Sequence, residues 1–281
     1  MTYPVDAATS RRLLLHESQV HAIPSRRLTV LSDGVLLMDP DDPEPFWNRL
    51  CAVRWPDDPA GFDRRLTEAS ILFAGKGRQP HVWVSPPHDT PRDLAARLAA
   101  NGFEDMGLGY TLVATDDTAA RAALAGTPRA DLVLERHGAN GGLSVGPGGP
   151  AVAADIVEVL VAAFRVEPER AAAIRDETMA SLADPRFTHY LVRLDGVPVA
   201  VARAATFEGV TYLSSIGTIP AVRGRGLGRF ITATATVDGF AAGSEFVHLG
   251  VFADNEPAFT LYRSLGFQAS GEPGPDMLLI G

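Results

Sequence analysis

Gly217-Thr-Ile-Pro-Ala-Val-Arg-Gly-Arg-Gly-Leu-Gly-Arg-Phe230 decides how this 281-residue chain is read. An apolar, β-branched run, Val210 to Ile219, leads into it, and a proline-free stretch from Arg229 to Ala242 leads out. The pattern predicts a strand, a glycine-rich turn and a helix. Gly224, Gly226 and Gly228 have no Cβ, so the backbone there can turn tightly and point several N–H groups into one small space. The start of the following helix adds partial positive charge at the same place. Such an arrangement binds a phosphate or pyrophosphate without a particular side chain. Arg223, Arg225 and Arg229 raise the local positive potential in a chain of net charge −9.

Two common phosphate loops do not fit. A dinucleotide fingerprint, G-x-G-x-x-G, would need glycine where Arg229 stands. A Walker loop needs a lysine, and no lysine follows Lys76. What remains is Arg-x-x-Gly-x-Gly, filled by Arg223, Gly226 and Gly228. This resembles the acyl-CoA pyrophosphate loop of the GNAT superfamily of N-acetyltransferases. Taken alone, the same residues also read as a glycine-rich turn carrying solvated arginines. A second stretch strengthens the resemblance. Asn255, Ala258, Tyr262 and Leu265-Gly266-Phe267 follow an apolar strand, Phe246 to Phe252, where the superfamily places its second cofactor-binding helix. Asp254 or Asn255 suits the cap of that helix, Pro257 its first turn and Gly266 its end.

The resemblance implies an α/β (α+β) fold, a mixed, mostly antiparallel central sheet flanked by helices. It implies acetyl-CoA as co-substrate, no metal, and transfer of an acetyl group to a primary amine by direct attack. The cofactor-binding set it implies is the backbone around Thr218 and Ile219 for the pantetheine arm, with Arg223, Gly224, Arg225, Gly226, Leu227, Gly228 and Arg229 around the pyrophosphate. Asn255 either hydrogen-bonds the cofactor or caps its helix. Tyr262 matches the tyrosine that commonly acts as general acid toward the CoA sulfur; it also fits a half-buried packing residue. An alkylamine, with a pKa of about 10, must lose a proton before it attacks. Residues 210–218 carry no carboxylate. Ser214 and Ser215 could hold a water, Glu208 precedes the strand, and His248 on the next strand is the first candidate base because imidazole titrates near neutrality. A strand histidine is equally at home as a structural group.

The length suggests two domains, here 1–125 and 131–281. Residues 6–22 read as a helix, with His16 and His21 five apart and so roughly 140° around it, unable to share a metal. Leu28–Leu31 and Val35–Met38 read as a hairpin, then Trp47–Trp55 as a strand, Asp63–Ala74 as a helix, His81–Ser85 as a strand, 90–100 as a helix and Tyr110–Ala114 as a strand. That order repeats in the second half, and Leu98 to Phe103 echoes Tyr262 to Phe267. Tandem GNAT-like domains follow, the first degenerate. Its counterpart of the glycine loop is Arg54 to Gly61, where Pro56 and Pro59 remove N–H donors and Asp57 and Asp58 repel phosphate. The first domain is therefore expected not to bind CoA, and Trp47, Trp55 and Trp83 are expected in its core. In the second half, 138–150 reads as a mobile loop and 151–164 and 168–183 as two helices, a pair that the resemblance implies forms one wall of the acceptor site. Residues 187–194, 197–206 and 210–219 read as a meander, and 277–280 as the strand that closes the second sheet.

A single cysteine, Cys51, excludes an internal disulfide and fits a reducing compartment. No apolar run reaches a membrane span and no basic-then-apolar leader opens the sequence, so a cytoplasmic protein without membrane partners is expected. No basic tract points to nucleic acid. The acidic balance favours an amine acceptor, either a small molecule or a protein N-terminus or side chain. A monomer and a homodimer both fit. A non-catalytic acyl-CoA sensor or scaffold, and a module binding another phosphate ligand, are the alternatives.

Overall fold

The structure, a computed structural model, describes residues 3–86, 88–126, 131–138 and 149–280. In chain order the elements are α1 (Ala7–His21), β1 (Arg27–Leu31), β2 (Gly34–Met38), β3 (Arg49–Cys51), α2 (Pro59–Ala74), β4 (His81–Trp83), α3 (Leu94–Ala100), β5 (Phe103–Ala114) and α4 (Thr118–Ala125). The second half supplies β6 (Leu132–His137), α5 (Gly149–Phe164), α6 (Ala171–Ala183), β7 (Phe187–Leu194), β8 (Val197–Phe207), β9 (Val210–Thr218) and α7 (Leu227–Ala241). It ends with β10 (Phe246–Phe252), α8 (Glu256–Ser264), β11 (Gln268–Ala269) and β12 (Gly274–Leu279). The chain forms two compact units. One holds residues 1–111, 250–256 and 269–281; the other holds 112–249 and 257–268.

In the first unit α1 begins where the Asp6 carboxylate accepts the Thr9 N–H, the side-chain cap that serine-like and acidic residues provide. β1 and β2 form the expected hairpin, closing at Leu31–Gly34. β2 pairs antiparallel with β3, and β3 pairs parallel with β4 at Leu50–Val82. The expected long strand 47–55 is cut short: Ala52 sits at φ +52°, a left-handed conformation that no strand continues through. Trp55 is buried in the core with Leu50, Phe62, Phe73 and Leu98, while Trp47 and Trp83 are half-buried. His16 and His21 are buried packing residues of α1.

The last strand departs from expectation. Residues 274–279 do not close the sheet of the second half. β12 lies between β4 and β5, antiparallel to both, with Met277 opposite Val82 and Leu278 opposite Glu104. The reason is apolar: Met277 is 3% exposed and packs into the core of Leu50, Phe73 and Val82. A boundary drawn by chain order alone puts this strand in the wrong unit.

In the second unit β6, β7, β8 and β9 form an antiparallel meander, and β9 pairs parallel with β10 through the α7 crossover. This is the mixed, mostly antiparallel sheet with flanking helices that the sequence leads one to expect. The helices expected at 151–164 and 168–183 are α5 and α6, the latter opening with a 3₁₀ turn at Pro168–Arg170. Ala153, Ile156 and Leu160 of α5 and Leu182 of α6 pack on Leu191 and Val201 of the sheet. Most of the glycine-rich stretch 138–150, namely 139–148, lies outside the described residues. Among the described residues no helix is long and apolar enough to cross a membrane.

All three tryptophans lie in the first unit, so their fluorescence reports its unfolding alone. Met277→Ala removes a buried side chain and is expected to cost roughly 2–5 kcal/mol. The tryptophan-monitored midpoint in urea should fall; an unchanged midpoint would mean that β12 does not stabilise that unit.

Candidate active site

The parallel ladder between β9 and β10 runs from Val210–Phe246 to Tyr212–His248 and ends there. β9 goes on to Thr218, six residues past its last pair with β10. Within that continuation the chain bulges: Arg203 of β8 faces Ser214, but Val201 faces Gly217, and Ser215 sits at φ +52°. A bulge of this kind re-aims side chains and ends pairing. Gly217 is required by contact, since a Cβ there would lie 2.9 Å from the Ala163 methyl at the end of α5.

Beyond β9, Pro220–Val222 make one 3₁₀ turn and the glycine loop follows. Gly224 and Gly226 both have φ +77°, which glycine alone adopts freely. A Cβ on either would meet nothing within 4 Å, so the loop faces open space. Gly226 is the N-cap of α7 and no side chain caps that helix. Its first backbone bond is Phe230 N–H to the Gly226 carbonyl. The N–H groups of Leu227, Gly228 and Arg229 precede that bond, as the first N–H groups of any helix do. They stand at its positive end, with Arg225 and Arg229 exposed beside them. This concave, uncapped, positive terminus fits a pyrophosphate.

Other expected site residues fall differently. The Arg223 guanidinium is tied to the chain, donating to the Thr218 carbonyl (3.2 Å) and the Ala163 carbonyl (2.6 Å). It braces the loop against β9 and α5. The Ile219 N–H donates to the Val199 carbonyl. Asn255 stands one residue before α8, its N–H donating to the Phe252 carbonyl. Tyr262 is 8% exposed on α8, its ring 6.1 Å from that of Phe267, and burial pushes its phenol up to about 12. A Cβ on Gly228 would lie 3.5 Å from Leu261 and 3.7 Å from the Thr218 hydroxyl, so the first turn of α7, α8 and the end of β9 meet. His248 has no exposed surface, and its ring packs 4.9 Å from that of Tyr212. Glu208, another base candidate, lies at a hairpin turn with φ +50°.

A polar row escaped the sequence reading. His137, His189, Arg203 and Ser214 face one another across β6, β7, β8 and β9. Above the row lies α6: Ser181 Oγ is 2.8 Å from His189 Nε2, and Glu177 accepts from Arg203 at 2.7 Å. Arg203 Nε also donates to Ser214 Oγ at 3.0 Å. The sequence did hold one signal, an arginine inside the apolar strand Val199 to Ala205, where a charge persists only if paired. Among the described residues no three His, Cys, Asp or Glu side chains converge as metal ligands.

The first unit shows the corresponding places differently filled. Asp58 caps α2, accepting the Gly61 N–H at 2.8 Å, so a carboxylate already stands where an anion would bind. Beyond Ala52 the strand edge is occupied by the chain itself: Trp55 N–H donates to the Thr90 carbonyl and Thr90 N–H to the Val53 carbonyl.

Residues 153–267, which hold β7 to β10 with α7 and α8, match the Acetyltransferase (GNAT) family. Over 224 residues the chain is 28% identical to a mycothiol acetyltransferase of Actinosynnema mirum, covering 77% of this chain and 69% of that one. In fold it is similar to a GCN5-related N-acetyltransferase from Kribbella flavida, with TM-score 0.70, 23% identity and coverage of 99% and 96%. It is also similar to a tandem GNAT protein from the clavulanic acid biosynthesis pathway, with TM-score 0.59, 16% identity and coverage of 93% and 86%. The family match and the curated relative support acetyl transfer in general, and the two solved structures support the fold.

Burial, with the neighbouring Arg203 and His137, pushes the His189 imidazole down to about 3. The unfolded chain takes up that proton at about 6.5, so the stability contributed by neutral His189 is full above that value and is lost as pH falls from it toward 3. The His189 ring resonances in NMR should stay constant from pH 8 to pH 5; a midpoint near 6.5 would contradict the buried network.

Proposed function

We propose that the protein is an acetyl-CoA-dependent N-acetyltransferase acting on a primary amine. The observation that carries this reading is the uncapped, glycine-lined start of α7, set against the unpaired edge of β9 and the helix of Tyr262. Leu227, Gly228 and Arg229 N–H groups would hold the pyrophosphate, with Arg225 and Arg229 adding charge. Arg223 keeps the loop in shape from behind. The thioester arrives already activated. The chain's tasks are to orient it, to receive a neutral amine, and to favour departure of sulfur. Tyr262 is the donor to that sulfur. Burial keeps its phenol protonated at neutral pH, and because a phenol titrating near 12 is far weaker as an acid than a thiol of about 8.5, it acts by donating a hydrogen bond. His248, closed in against Tyr212, is read as a packing residue, and solvent at the gap takes the amine proton.

The first unit is read as a degenerate repeat that does not bind CoA. The Asp58 cap and the Thr90 segment support this, since each fills a position the second unit leaves open. Because the relative from A. mirum is a mycothiol acetyltransferase, mycothiol-related amines lead the acceptor candidates.

An assay of CoA thiol release against a panel of amines, mycothiol-related ones first, tests the reading. Turnover with at least one amine is expected, and no release with any would leave a binding protein. In that assay Tyr262→Phe should lower kcat by about 10²-fold and leave acetyl-CoA affinity unchanged; equal kcat in variant and parent would remove Tyr262 from the chemistry.

A further inference from the structure

We propose that the Ser214 hydroxyl is a hydrogen-bond donor to the acyl carbonyl, aimed and polarised by the buried Arg203–Glu177 pair. This deepens the acetyltransferase reading and rests on it. His189, Arg203 and Ser214 stand opposite one another on β7, β8 and β9, and directly opposed residues share a face of the sheet. Arg203 is 3% exposed and its guanidinium is held at two points, by Glu177 and by Ser214. An ion pair so buried is weak evidence of stabilisation, because desolvation offsets the attraction. Its geometry says what else it does. Ser214 Oγ accepts from a cationic donor, so its own hydrogen is given to another acceptor, and the bond it receives makes it a stronger donor.

The place of Ser214 supplies the acceptor. It stands two residues beyond Tyr212, the last residue of β9 in the ladder with β10, and directly before Ser215 at φ +52°. It is half-buried where Arg203 is sealed. The bulge and the left-handed Ser215 place Ser214 just beyond the last ladder pair of β9 with β10. In the reaction the amine nitrogen bonds to the carbonyl carbon, the carbon–sulfur bond breaks, the amine proton passes to solvent and sulfur leaves as thiolate. Negative charge develops meanwhile on the carbonyl oxygen, and a fixed donor there favours the transition state. Glu177 is a positioning residue: it accepts from the Arg203 guanidinium at 2.7 Å and so anchors it.

The bland alternative is that the pair only fastens α6 to the sheet. Infrared difference spectra of carbonyl-¹³C acetyl-CoA, with calorimetry for binding, separate the two. The parent should bind and move the carbonyl stretch to lower frequency. Ser214→Ala should bind with parent affinity, lose about half of that shift, and lower kcat by about 10²-fold. Glu177→Gln, which keeps the shape, should lose part of the shift. Binding with a parent-like band in Ser214→Ala overturns this proposal and leaves the acetyltransferase reading intact. A parent that does not bind acetyl-CoA overturns that reading itself.

Discussion

The N–H groups of Leu227, Gly228 and Arg229 open a helix that no side chain caps. Buried or not, such groups seek acceptors, and among the described residues no side chain caps them. Everything nearby preserves that condition. Two left-handed glycines shape the turn without filling it. Arg223 is bound back to Thr218 and Ala163, so the loop is held from its rear and left open in front. α2 in the first unit shows the alternative: Asp58 meets its first-turn N–H directly, and no place for an anion remains. One side chain at one cap separates a helix whose first turn is closed from one whose first turn is left open to an anion.

Much of this was legible in the sequence, for identifiable reasons. The glycine loop was readable because positive φ leaves a glycine signature, and α8 because a cap, a first-turn proline and a terminal glycine punctuate it. The first half read as hostile to phosphate because of Asp57, Asp58 and two prolines, and Asp58 does cap α2 there. The meander of the second unit followed from alternation and Asp195-Gly196 at the turn.

What was missed has a common cause, which is that it depends on partners far apart in the chain. β12 reads as an apolar strand in either unit; only the fit of Met277 against Leu50 and Phe73 sends it to the first. The early end of β3 at Ala52 and the bulge at Ser215 leave no residue signature, since neither carries glycine. Spacing could not show that the Arg223 guanidinium also bonds carbonyls 5 and 60 residues away. The row of His137, His189, Arg203 and Ser214 exists only once four strands are in register, and the carboxylate sought on β9 is absent there while Glu177 reaches in from α6.

The claim on which the account depends is that the open cap of α7 holds the diphosphate of the acyl donor. Gly226→Asp tests it most directly, because aspartate tolerates the left-handed conformation and would supply α7 with the kind of cap that Asp58 gives α2. Calorimetric titration with acetyl-CoA should show one site per chain in the parent, and in the variant a loss of affinity of at least about tenfold, the effect of roughly 1.4 kcal/mol, with the far-ultraviolet circular dichroism unchanged. Two sites in the parent, or parent affinity in Gly226→Asp, would contradict it.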